Sequence, residues 1–321
     1  MDDKYLNIYI RYCEGSVPVL LEMPHSGLAR LEPNDLPQSI ASKFNFEEFD
    51  RIVGFGCDAS VPEMTGFNDL LKELDTYRLH NDLARVYCDT NRDRYEASDL
   101  AFEDGSPNDH HHGVIWIRDI PVGLDLSLST EALEKLIRER PITLKAPLTK
   151  KEFEAYMSQF YDPYHEAIRR LHKQIVAEHG YCIHLALHSM PAFSLKKICG
   201  GYVCGKKASR GRFDITKNTL PDIILIHNDH RSTLRDLVVK LKRIFRQSGR
   251  LIVEDGQGPF KGDIGVTKKY GSPFKAGVSV IGIEHVAHDL EPERHLGRPT
   301  VNLGKAHELQ STYFEAIANL C

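Results

Sequence analysis

VPVLLEMPHSG, residues 17–27, is an apolar run that stops at Pro24 and passes straight into a polar turn. Proline has no amide donor and restricts the residue before it, so 17–23 reads as a buried strand with His25 just beyond its carboxyl end. The same order returns at YCIHLAL, 181–187, a buried strand by composition that leads directly to His188 and Ser189. Outward from these two runs, strands are predicted at 85–88, where the chain enters the polar run DTNRDR, and at 222–226, 250–254 and 277–284. Between them, 150–179 repeats apolar residues at helical spacing (Phe153, Tyr156, Met157, Phe160, Ile168, Leu171 and Ile175), is interrupted near Pro163 and ends at Gly180. A further helix is predicted at 232–246. Strands alternating with helices imply an α/β fold whose mixed, mainly parallel sheet is flanked by helices. No linker or repeat divides the chain. The expectation is therefore a single domain over 1–321, with the irregular stretch 98–148 as an insert or lid.

The composition narrows the function classes. A 41% hydrophobic content supports a sizeable core, and a net charge of -4, with 41 basic against 45 acidic residues, offers no basic stripe for nucleic acid. No segment reaches the roughly 20 apolar residues that span a bilayer, and the first residues do not read as a signal peptide, so a cytoplasmic location and no membrane partner are expected. The seven cysteines (13, 57, 88, 182, 199, 204 and 321) are odd in number and irregularly spaced, which predicts thiols rather than a disulfide framework. The oligomeric state is left open.

In α/β sheets ligands gather where the strands end, and His25, Asn91 with Arg92, His188 and Glu284 all stand at such ends. Metal-dependent hydrolysis needs ligands, an open position for water and a carboxylate to take the water's proton, and these residues supply the parts. Each also has a plainer reading. His25 can cap a turn, His188 can be a hydrogen-bonded core histidine, Asn91 and Arg92 can form a surface turn, and Glu284 can pair with a lysine of the preceding loop. Ser26 and Ser189 lack the G-x-S-x-G elbow of a serine hydrolase.

Taken in order, PHSG at 24–27, D-x-x-V-x-x-M at 58–64, DTNRDR at 89–94, PYHEAIRRLH at 163–172, LHSM at 187–190, PFKGD with TKKYGSP between 259 and 273, and IGIE at 281–284 resemble the N-formylglutamate amidohydrolase family. The resemblance runs over about 17–290. It implies a zinc exopeptidase (phosphorylase/hydrolase-like) fold related to the metallocarboxypeptidases. It also implies one Zn2+ per chain held by His25, His188 and Asp58, with Glu63 the alternative third ligand. Glu284 becomes the general base, and Asn91 with Arg92 the clamp for a substrate carboxylate. The implied substrate is a small N-acyl amino acid, N-formyl-L-glutamate first, cleaved to formate and L-glutamate. The chain departs from the family pattern at Ala186, where aspartate is usual, and in KGDIGVT at 261–267. His110, His111 and His112 have no counterpart, and can be a solvated run, a second metal site or substrate contacts. Two rival readings are a metallocarboxypeptidase acting on a peptide C-terminus and a non-catalytic binding protein on the same fold.

Overall fold

The computed structural model describes residues 4–65, 74–106, 113–118, 142–190, 222–250, 252–254, 265–286, 290–291 and 300–320. His110 to His112, Cys199, Cys204, Cys321 and residues 261–264 lie outside them. Eight strands are present: β1 Lys4–Asn7, β2 Ile10–Cys13, β3 Val17–Met23, β4 Thr76–Asn81, β5 Cys182–Met190, β6 Ile223–Ile226, β7 Ile252–Glu254 and β8 Val278–Val286. They form one sheet in the order β1-β2-β4-β3-β5-β8-β6-β7. Its centre, β4-β3-β5-β8, is parallel, and β6 returns antiparallel against β8. The helices are α1 Gln38–Ala41, α2 Phe46–Gly56, α3 Ser60–Met64, α4 Lys150–Phe160, α5 Asp162–His179, α6 Arg235–Gln247, α7 Gly265–Tyr270, α8 Pro273–Ala276 and α9 Leu303–Leu320.

Strands β3, β5 and β8 are largely apolar on both faces because both faces are covered. Val19, Leu21, Ile183, Leu185, Leu187, Ile281 and Ile283 pack with Val61 and Met64 of α3, Leu241 and Phe245 of α6, and Tyr313 and Ile317 of α9. On the other face, Leu20, Ala186 and Val280 meet Tyr164, Ile168, Leu171 and Ile175 of α5. Pro163 stands in the first turn of α5, where its missing amide costs nothing, and Gly180 closes the helix in the left-handed conformation at φ 81°. A third cluster packs α2 and α4 around Tyr87, and takes Phe102, Trp116, Leu144 and Leu148 from the described parts of 98–148. Cys13, Cys57, Cys88 and Cys182 are buried thiols. Among the described residues no helix is long and apolar enough to cross a membrane.

Three local expectations need correction. Residues 85–88 form a turn, and RVYC imitates a strand because Val86, Tyr87 and Cys88 fill the aromatic cluster. The strand in this region is β4, TYRLHN, whose polar residues do not read as a core strand yet are all buried. His80 is held by Asp82 at 2.8 Å, and Arg11 grips both oxygens of the same carboxylate at 2.6 and 2.7 Å. Finally, β5 does not stop at Leu187 nor β8 at Glu284: their register continues through His188↔Glu284 to Met190↔Val286, so His188 and Glu284 are both strand residues.

The turn after β3 is locked against the loop after β4. Ala29 N–H donates to Asp82 O at 2.8 Å, and a Cβ on Gly27 would lie 2.1 Å from that oxygen and 2.4 Å from Asn81 O. Only glycine allows this approach. Gly27→Ala is therefore expected to cost about 1–3 kcal/mol by overpacking, read as a lower urea midpoint. An unchanged midpoint would mean that the turn can back away from β4.

Candidate metal centre

Pro24 ends β3 and leaves His25 buried at the carboxyl edge of the sheet. Its Nε2 lies 2.8 Å from Asp89 Oδ1. Asp89 is fully buried and also accepts from Arg85 Nε at 2.7 Å, Asn91 N–H at 3.0 Å and Trp116 Nε1 at 3.4 Å, with Arg92 Nε at 3.5 Å. Burial alone would raise its pKa, but the charges of Arg85 and Arg92 and the hydrogen bond from His25 outweigh that and hold the carboxyl well below the usual range. An ionised carboxylate can only accept, so His25 Nε2–H must donate, and in the neutral ring the lone pair then falls on Nδ1.

That lone pair faces two further groups. His188 Nδ1 lies 3.2 Å from His25 Nδ1, and Asp58 Oδ2 is 3.5 Å from each ring nitrogen. His25, Asp58 and His188 are all buried, and together they could hold a metal ion. Asp58 is brought there by its own backbone, whose N–H donates to His25 O at 2.9 Å. The Val61 and Met64 positions of D-x-x-V-x-x-M anchor α3 in the core behind it. Glu63 is not part of the cluster; its carbonyl accepts from Gln310. His188 Nε2 is buried without a hydrogen-bond partner among the described residues.

Glu284 stands beside His188. The two are register partners in adjacent parallel strands, so their side chains leave the same face of the sheet with backbones about 4.8 Å apart. Asn91 and Arg92 follow Asp89 on the far side of His25. Asn91 Oδ1 accepts from Val266 N–H at 3.4 Å, and Gly265 comes so near that an added Cβ would lie 2.3 Å from Asn91 O. Arg92 donates to Glu96 at 3.1 Å, its carbonyl accepts from Tyr161 Oη at 2.7 Å, and its side chain keeps 34% exposure. Tyr270 is turned to His165, with its Oη 2.6 Å from Nδ1.

Sequence reading passed over two carboxylates. Asp89 had a visible signal as the first residue of DTNRDR, but its burial depends on Arg85 and Trp116. Glu22 had none, being one polar letter in an apolar strand. It is the register partner of Ala186, and it accepts from Tyr164 Oη at 3.0 Å and bonds His184 Nε2 at 2.9 Å. His184 in turn meets His172 Nε2 at 2.9 Å. Burial would raise the pKa of Glu22, but its bonding and charge interaction with His184 hold it below the usual value.

Among solved structures, an N-formylglutamate amidohydrolase from Ralstonia eutropha JMP134 is 18% identical, with a TM-score of 0.67 and 97% of each chain covered. A gene product from Agrobacterium tumefaciens is 13% identical with a TM-score of 0.52, covering 97% of this chain and 96% of its own. At those identities the likeness establishes the fold. No curated protein sequence matches. The family model of N-formylglutamate amidohydrolase matches residues 17–290, which include the histidine turn, the DTNRDR loop and all three central strands that meet at the cluster. By that match the chain belongs to the N-formylglutamate amidohydrolase family, and is a hydrolase acting on an amide bond.

Proposed function

We propose that the protein is a zinc-dependent amidohydrolase that cleaves N-formyl-L-glutamate to formate and L-glutamate, with one zinc held by His25, Asp58 and His188. The observation that carries this reading is the convergence of three buried donor atoms at separations of 3.2, 3.5 and 3.5 Å. Tetrahedral zinc with bonds of about 2.0–2.1 Å has ligand-to-ligand edges of about 3.3–3.4 Å, so the donor set fits it in spacing as well as in chemistry. The contact from Asp89 to His25 is the kind of outer partner that orients a ligating imidazole.

When bound, zinc supplies Lewis acidity, polarising the formyl oxygen and lowering the pKa of water towards about 7. The protein's own groups do the rest. Glu284 accepts a proton from the attacking water and returns it to the nitrogen as the carbon–nitrogen bond breaks, releasing formate and the free amine. Arg92 offers guanidinium donors to the substrate carboxylate, with the Asn91 amide beside it. A peptidase acting on C-termini would use the same groups; the family match favours the formyl amino acid.

Three outcomes test the reading. Replacing His188 with alanine is expected to abolish stoichiometric zinc in protein purified without chelator, and elemental analysis showing full retention would remove His188 from the ligand set. Glu284→Gln keeps the side chain's shape but cannot take a proton, so kcat should fall roughly 100-fold or more with zinc still bound. A variant that kept above about a tenth of the wild-type kcat would take the general-base role from this residue. Arg92→Ala should lose roughly 2 kcal/mol or more in kcat/KM, and amidating the substrate carboxylate should cost the wild type a similar amount. Equal turnover of carboxylate and carboxamide would dismiss the clamp.

A further inference from the structure

Asp58 and His188 come from distant parts of the chain, and one buried carboxylate joins the segments that carry them. Glu291 Oε1 accepts from Ser60 N–H at 2.8 Å, Ser60 Oγ at 2.6 Å and Ser189 Oγ at 2.8 Å. Ser60 follows Asp58 by two residues and opens α3; Ser189 follows His188 directly in β5. Successive strand residues point to opposite faces, so Glu291 grips β5 from behind while His188 faces the cluster. It lies 102 residues from Ser189 and 231 from Ser60, just past the end of the family match.

We propose that Glu291 is a positioning residue that sets the spacing between Asp58 and His188, and through it the affinity of the metal centre. The role rests on reading His25, Asp58 and His188 as metal ligands. Groups that bear lone pairs repel one another before a cation arrives, so a site that keeps them together must restrain them from outside. The Asp58 loop has its backbone bond to His25 on one side. Glu291 supplies the other restraint, with three bonds on one oxygen that accept donors from both ligand-bearing segments. Glu291 acts through the two segments that its bonds hold, and its effect should therefore appear in metal affinity.

The test is chelator competition to measure zinc dissociation constants for the wild type, Glu291→Ala and Glu291→Gln. Tm is measured for each protein in metal-free and zinc-loaded form. Glu291→Ala is expected to weaken zinc binding about 10- to 100-fold, the usual scale for an outer partner of a metal site. It should also shrink the rise in Tm that zinc produces, because that rise follows the ratio of free metal to Kd. Glu291→Gln keeps an acceptor oxygen in place and should stay within about threefold of the wild type. A merely structural residue would lower both Tm values together and leave the affinity unchanged, and that result overturns the proposal, as does a Gln variant as weak as the Ala variant. If Glu291→Ala does not fold, Ser189→Ala removes one of the three bonds. Zinc binding at least about threefold weaker in that variant supports the role, and unchanged binding overturns it. A wild type that binds no divalent metal overturns the ligand reading itself, and the role of Glu291 with it.

Discussion

The carboxylate of Asp89 is the contact on which the centre depends. It is buried, held ionised by Arg85 and Arg92, and bonded to His25 Nε2 at 2.8 Å. A neutral imidazole has one donor and one acceptor nitrogen, so fixing the donor at Nε2 decides that Nδ1 turns a lone pair towards Asp58 and His188. The same residue begins the loop that supplies Asn91 and Arg92. Asp89 N–H donates to Val114 O at 2.8 Å, which ties that loop to the described part of the irregular region. One anion therefore orients His25 and holds the loop that bears Asn91 and Arg92.

Around this contact the sheet sets the remaining distances. Parallel pairing of β3, β5 and β8 puts His25, His188 and Glu284 at one edge, and register places Glu284 level with His188. A polar line on the central face of a buried sheet is costly unless every group finds a partner. Glu22, Tyr164, His184 and His172 meet that condition with one another, and in doing so fasten α5 to the sheet below the cluster. Ala186 leaves the space beside Glu22 small and apolar.

The flanking contacts extend the same principle. Gly27 and Gly265 let backbone approach backbone where any side chain would collide, the first beneath His25 and the second against Asn91. Tyr161 accepts from Lys269 Nζ at 3.2 Å and donates to the Arg92 carbonyl, so it links the loop to α7. The aromatic stack of Phe49 on Tyr87, at 4.5 Å, packs beneath the chain that leads into Asp89.

Much of this was legible in the chain. The apolar runs at 17–23, 181–187 and 277–284 marked three central strands, because strands covered on both faces are rich in apolar residues. Pro24, Pro163 and Gly180 marked a strand end, a helix start and a helix stop for local steric reasons. Histidines directly after or within such runs singled out His25 and His188, which the structure brings together with Asp58. Other features depended on contacts between residues far apart. β4 is hidden in TYRLHN because Arg78 and His80 are buried by pairing rather than by apolarity, and 85–88 imitates a strand because its residues fill an aromatic cluster. The choice of Asp58 over Glu63 in the cluster, the link from Asp89 to His25 and the bracket from Glu291 to Ser60 and Ser189 were decided by tertiary structure alone. Periodicity reports which side of an element faces the core, but which polar groups then meet depends on strand register and loop closure across hundreds of residues.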